Sequence, residues 1–61
     1  MPIITVNWLE GKTDDMKRKV AKGFTDILQK EAGSPPESVS IIFHDIKKGD
    51  LAKAGTLFSD K

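Results

Sequence analysis

The sequence contains no cysteine and no tyrosine, and it has a single histidine and a single tryptophan. Without cysteine no disulfide can reinforce the fold, which is typical of proteins that work in the reducing cytosol. One histidine with no cysteine or histidine partner cannot build a metal site, so we expect no bound metal. No apolar run approaches the ~20 residues that a membrane-spanning helix needs, and no basic leader precedes an apolar signal core.

An excess of charge of one sign is also missing. Ten basic and nine acidic side chains are interspersed along the chain and give a formal net charge of +1. This balance favours neither a nucleic-acid partner nor an acidic partner surface. We therefore expect a soluble, cytoplasmic protein without a nucleic-acid or membrane partner.

Length sets the next limit. The chain has 61 residues, which is enough for a single domain over residues 1–61. A domain of this size buries only about 60% of its unfolded surface and is marginally stable alone. Disulfides and metals are not available to reinforce it, so oligomerisation is the remaining common solution.

A first strand is predicted over residues 2–9, where β-branched side chains are frequent. Alternation places Ile3 and Thr5 on one face of this strand, and Ile4, Val6 and Trp8 on the other. Both faces carry apolar groups, which predicts that both are covered in the folded protein. Trp8 fits a core or subunit-interface position better than a ligand contact.

Pro2 allows two interpretations. Proline has no N–H to donate and is well suited to the first residue of a strand, so a structural role would explain it. If Met1 is removed, however, the ring nitrogen becomes a secondary amine that can act as a base or a nucleophile. An α-amino group titrates near ~7.7–8.0, and apolar surroundings or a nearby cation lower that pKa. Such an amine would be largely free base at neutral pH, as general-base catalysis requires.

A long helix follows the first strand. Thr13 is a suitable N-cap, and Gly33 suits the residue just past the helix end, before Ser34-Pro35-Pro36 forbids continuation. One apolar stripe at helical spacing comprises Met16, Val20, Phe24, Ile27 and Leu28. The basic side chains mostly on or beside the opposite face are interpreted as solvated surface: Lys17, Arg18, Lys19 and Lys22.

A second strand is predicted over residues 39–46, and short connections link it to the helix. Strand, helix and strand in this order form a right-handed βαβ unit with parallel strands. The apolar groups of the tail predict a short C-terminal hairpin that packs on a neighbouring subunit. The predicted fold class is α/β (α+β), with one βαβ subunit per chain assembling into an oligomer.

Motifs for common catalytic chemistries are absent. No P-loop, dinucleotide-binding fingerprint or G-x-S-x-G is present, and we expect no cofactor. His44 is interpreted as a structural strand residue, and the adjacent Asp14 and Asp15 are better explained by the helix dipole than by acid–base catalysis. The remaining candidates are Pro2 and two cations that could face it, Lys12 first and Lys53 second. Periodicity alone does not show that they converge.

A resemblance adds to this interpretation. The sequence is similar to the 4-oxalocrotonate tautomerase family over essentially its whole length, with no insertion. The segments that carry the resemblance are Met1-Pro2 at the head of a strand, Leu9-Glu10-Gly11-Lys12-Thr13-Asp14, Pro35-Pro36-Glu37-Ser38-Val39, Lys48-Gly49 and Ala54-Gly55. The resemblance implies βαβ subunits that assemble as a hexamer of three dimers. It also implies an amino-terminal proline that moves a proton between carbons of an enol or dienol acid.

The family's site residues transfer only in part. Pro2 matches the catalytic proline. Lys12 stands where the family has an arginine for a substrate carboxylate, and it keeps the charge but loses the bidentate geometry. Ser40 replaces a second arginine, usually supplied by another subunit, and an uncharged hydroxyl stabilises a carboxylate or enolate far less well. Leu51 replaces an aromatic wall residue, and Lys53 nearby could restore part of the missing positive charge.

Two functional hypotheses follow. The first is a cofactor-free tautomerase or isomerase in which Pro2 shuttles a proton on a small enol or 2-oxo acid. The second is an oligomer of the same fold with weak or different activity, or a non-catalytic subunit of a mixed assembly. Retention of Pro2 and of a cation at Lys12 favours the first, and the serine at position 40 favours the second.

Overall fold

A computed structural model describes residues 1–61 and contains two parallel strands joined by one helix. Strand β1 (Ile3–Leu9) lies beside strand β2 (Ser40–Ile46), and helix α1 (Asp14–Ala32) connects them. The two strands pair along their whole length, with Ile3 opposite Ser40 and Leu9 opposite Ile46. This arrangement confirms the predicted βαβ unit. Strand β2 begins one residue later than predicted, because a 3-10 turn at Pro36–Ser38 leads into it.

The ends of α1 are fixed by the local signals that predicted them. The Thr13 hydroxyl accepts a hydrogen bond from the backbone N–H of Met16 at 3.2 Å. At the other end Gly33 adopts a left-handed conformation with φ of 68°, and its N–H donates to the carbonyl of Leu28. Glycine takes this conformation without the steric cost that a Cβ would add. Nothing in α1 has the combination of length and apolar character that a bilayer-crossing helix needs.

The tail forms the predicted hairpin. A 3-10 turn at Lys48–Asp50 precedes strands β3 (Ala52–Lys53) and β4 (Thr56–Leu57), which pair antiparallel. The two residues between them, Ala54 and Gly55, have φ of 53° and 80°. A two-residue loop with positive φ at both positions matches the twist of a hairpin. A last 3-10 turn at Phe58–Asp60 follows β4.

Helix α1 covers one face of the parallel sheet. Alternate residues of both strands are half-buried on that face: Ile4, Val6, Trp8, Ile41 and Phe43. Three members of the apolar stripe predicted for α1 are half-buried as well: Val20, Phe24 and Leu28. The other two members of that stripe are exposed, Met16 at 51% and Ile27 at 59%. The predicted stripe is therefore wider than the surface that one sheet covers.

The opposite face of the sheet is bare. Ile3 is 63% exposed and Ile42 is 45% exposed, and Thr5, Asn7 and His44 on the same face are exposed too. The expectation that both strand faces are covered is therefore not met within one chain. The molecule is a thin plate of 43 × 23 × 14 Å in which no residue is fully buried. We call the surface formed by Ile3, Thr5, Asn7, Ile42 and His44 the bare face.

Candidate active site

Pro2 and Ser40 lie together at the amino end of the parallel sheet. The backbone N–H of Ser40 donates to the carbonyl of Pro2 at 3.0 Å, and Ser40 is the strand partner of Ile3. Both residues are half-buried. Met1, which precedes them, is 88% exposed. Strand β1 thus begins beside Ser40, one of the predicted site residues.

Lys12 lies at the other end of the sheet, in the turn between β1 and α1. Its Nζ is 5.4 Å from the ring centroid of Trp8, near the carboxyl end of β1. Leu51 and Lys53 also follow a carboxyl end, because the hairpin comes after β2. The Leu51 carbonyl accepts a hydrogen bond from the N–H of Phe58 at 2.9 Å.

The predicted site residues therefore form two groups rather than one. A strand rises about 3.3 Å per residue, so the seven steps from Pro2 to Leu9 span roughly 23 Å. Pro2 and Ser40 are at one end of this span, and Lys12 is beyond the other end. The chain on its own encloses no cavity. One chain does not bring the candidate base and the candidate carboxylate-binding cation into contact.

A polar cluster surrounds Trp8 at the carboxyl end of the sheet. The indole Nε1 donates to Oδ1 of Asp45 at 2.7 Å, and Nζ of Lys17 donates to Oδ2 of the same carboxylate at 2.6 Å. Phe43 stacks on the indole with ring centroids 5.2 Å apart. The hydrogen bond from Lys17, and after it the one from Trp8, lowers the pKa of the Asp45 carboxyl below its usual value.

Sequence reasoning missed this cluster. Lys17 was assigned to solvated surface, but its side chain is only 25% exposed and it pairs with Asp45. Asp45 was not singled out at all. The signal that could have found the cluster is the parallel register, which places Trp8 opposite Asp45 across the two strands. A helix residue one turn from the start of α1 then reaches the same carboxylate.

Comparisons with known proteins agree with this architecture. The family model described as tautomerase enzyme matches residues 2–61. A probable tautomerase of Ralstonia nicotianae is 43% identical over 61 residues, covering 100% of this chain and 94% of the relative. The 2-hydroxymuconate tautomerase of Bacillus subtilis is 33% identical over 60 residues, covering 98% of this chain and 97% of the relative.

The fold is also that of solved relatives. A crystal structure of a 4-oxalocrotonate tautomerase homologue superposes with a TM-score of 0.94 at 33% identity, covering 100% of this chain and 97% of that one. Sequence similarity and superposition both extend over the full length, so the strand that begins beside Pro2 and the C-terminal hairpin are shared features. By sequence and by fold, the chain belongs to the tautomerase family, among the 4-oxalocrotonate tautomerases.

Proposed function

We propose that this protein is a cofactor-free tautomerase that uses Pro2 as general base on a small enol or 2-oxo acid. The observation that carries the proposal is a full-length match to the tautomerase family in a chain with Pro2 at the start of β1. Met1 is exposed, which favours its removal by a peptidase. After removal the Pro2 nitrogen is a free secondary amine rather than an amide.

The reaction is a proton transfer without net oxidation. The amine lone pair takes the proton of the enol hydroxyl while the oxygen becomes a carbonyl and the electron pair moves towards carbon. The resulting ammonium group returns the proton to that carbon, which completes the keto product and restores the base. In this proposal the apolar surroundings of the amine in the assembled site favour its neutral form, because desolvation disfavours a cation.

Binding of the acid is assigned to the cation and hairpin residues. Lys12 holds a substrate carboxylate, and Leu51 supplies an apolar wall that keeps water from the base. Lys53 adds positive charge from β3. Ser40, at the same end of the sheet as Pro2, offers a hydroxyl where the family has an arginine. Because Ser40 carries no charge and Lys12 is the only cation assigned to a carboxylate, we expect a preference for monoacids over diacids.

Assembly completes the site in this proposal. Pro2 and Lys12 lie at opposite ends of β1, so a shared site takes them from different chains. A two-stranded sheet leaves both outer edges unpaired, and two chains related by a two-fold axis can extend it to four strands. Such a pairing runs the strands antiparallel and brings the amino end of one chain to the carboxyl end of its partner. Three such dimers packed through the bare face give a homohexamer.

Subunit complementation tests the site and the assembly together. One variant, Lys12→Met, keeps the base and loses the cation, and a second chain with a verified blocked amine on Pro2 keeps only the cation. Each is expected to be nearly inactive with phenylenolpyruvate. When the two are unfolded together, mixed equally and refolded, about a quarter of wild-type activity should return, because half of the sites receive each intact group independently.

The control is each variant refolded alone, which should remain inactive. If Pro2 and Lys12 of the same chain shared a site, no mixed assembly would contain an intact site and no activity would return. Mixed assemblies that form, as shown by native mass spectrometry, but stay inactive would contradict the composite site.

The neutral side chain of Ser40 beside Pro2 favours a second candidate function. In that alternative the chain is an oligomer of the same fold with weak or different activity, or a non-catalytic subunit of a mixed assembly. A fully assembled, Met1-processed homo-oligomer that does not accelerate ketonisation of phenylenolpyruvate would support it over the tautomerase.

A further inference from the structure

The indole of Trp8 is held in one orientation by two different contacts. Its Nε1 donates to Oδ1 of Asp45 at 2.7 Å. The ring of Phe43 lies against it at a centroid distance of 5.2 Å with an angle of 18° between the planes. A hydrogen bond at the ring edge and a stacked neighbour together fix both the rotation and the plane of an aromatic side chain.

The Lys12 ammonium group lies over the face of this fixed ring. The Nζ atom is 5.4 Å from the indole centroid, within the range of a cation–π interaction. Such a contact attracts the cation without occupying its N–H donors as a carboxylate would. The ammonium group of Lys12 is therefore placed in a defined position while its donors stay available to an anion.

The carboxylate beside the indole forms its salt bridge with Lys17, not with Lys12. Its Oδ2 accepts from Nζ of Lys17 at 2.6 Å, and its Oδ1 accepts from Trp8. Lys17 sits on α1, which fixes this counter-ion independently of the turn that carries Lys12. Asp45 thus orients the ring and forms its close ion pair with Lys17, while the charge of Lys12 acts on it without a hydrogen bond.

We propose that Trp8 is a positioning residue for substrate binding: it holds Lys12 where a substrate carboxylate meets it, with Asp45 and Lys17 fixing the ring. The inference rests on the proposed function of Lys12. It differs from a structural role for Trp8 because the effect of the ring must pass through Lys12.

Kinetics of four proteins test whether Trp8 acts through Lys12: wild type, Trp8→Leu, Lys12→Met and the double variant. With phenylenolpyruvate, Trp8→Leu should raise KM about twofold to fivefold, the strength of an exposed cation–π contact, with little change in kcat. In the Lys12→Met background, where the small residual kcat/KM is measured at high enzyme concentration, the same change should cause no further loss. Trp8→Phe, which keeps an aromatic face, should recover part of the loss. An equal loss of kcat/KM in both backgrounds, or a loss in the wild-type background that lies in kcat, overturns the proposal.

A binding measurement keeps the inference testable if turnover is absent. Trp8 is the only tryptophan, so its emission reports on this cluster alone. Titration of the wild type with butanoate should change the emission saturably, and Lys12→Met should abolish that change. Lys22→Met removes a lysine paired with Asp26 on α1 and should leave the titration unaffected. No saturable change in the wild type overturns the inference, whereas a saturable change without turnover refutes the proposed function alone.

Discussion

The two ends of the parallel sheet differ in chemical character. The amino end has an imino acid and a hydroxyl, Pro2 and Ser40, joined through a backbone hydrogen bond. The carboxyl end has Lys12, Asp45 and Lys17 gathered around an indole. In the proposed function, the first end moves a proton and the second attracts an anion. If both groups serve one site, the roughly 23 Å that separates them along the strand requires that site to be built from at least two chains.

The largest loss of activity is expected when the free amine of Pro2, at the amino end of the sheet, is lost. A chain that retains Met1 has an amide at Pro2 with no basic lone pair, so kcat/KM should fall by about 10² to 10⁴, the usual contribution of a general base. Intact mass identifies the processed and unprocessed preparations, and an enol–keto assay compares them. Pro2→Ala keeps a primary amine and should lose less. Equal turnover by a verified Met1-retaining chain would reduce Pro2 to a structural residue.

The second prediction concerns adding a positive charge at the amino end of the sheet, like the one that Lys12 supplies at the carboxyl end. Ser40→Arg places a cation beside Pro2 and should raise kcat/KM for a dicarboxylate dienol about tenfold to a hundredfold, and less for a monoacid. Charge-assisted hydrogen bonds to the second carboxylate are the reason. Lys12→Ala should lower kcat/KM for both substrates. If Ser40→Arg assembles normally and changes neither rate, the pocket is not at this end of the sheet.

The third prediction concerns assembly. If the subunits do not assemble, the amino end of one chain cannot meet the carboxyl end of another. Ile42→Lys puts a charge in the middle of the bare face, where burial against another chain would be costly. We expect sedimentation to show smaller species and activity to fall at least about tenfold, since each 1.4 kcal/mol changes an association constant by that factor. Gln29→Lys, on an exposed position of α1, is the matched control and should do neither. A hexamer that persists in Ile42→Lys would show that the bare face is not an interface.

The smallest expected effect is a pH dependence confined to the carboxyl end. The pKa of Asp45 is lowered in the folded chain, so its ionised form stabilises the fold above the unfolded value of ~3.9. That stabilisation is lost as pH falls through the lower, folded pKa. Trp8 emission should therefore change at a pH below ~3.9, and Asp45→Asn should remove the transition. A transition of the same size in Asp45→Asn would assign it to another carboxyl group.

Local signals explain why the fold could be predicted from the sequence. Thr13 and Gly33 fix the ends of α1 through hydrogen bonds to residues three and five positions away, and the turn residues Ala54 and Gly55 close the hairpin. The parallel pairing then follows from the strand–helix–strand order and the handedness of such connections. Each of these features depends on residues that are close in sequence or on a general rule of topology.

The contacts of the site could not be predicted from such local signals. The hydrogen bond between Trp8 and Asp45 joins residues 37 positions apart, and its geometry depends on strand register. The partner of Lys17 could not be read from helical periodicity, which distinguishes faces but does not identify contacts. The family resemblance placed Pro2 and Lys12 in one site, while the length of β1 shows that one chain keeps them apart.

The plate-like shape of the chain has a consequence for how the protein responds to dilution. Because no side chain is fully buried in the isolated chain, folding and association should be linked, and stability should rise with protein concentration. The thermal midpoint would then decrease at each dilution, and activity per chain would decrease with it. A cell that doubles the amount of this protein would gain more than twice the activity wherever assembly is incomplete.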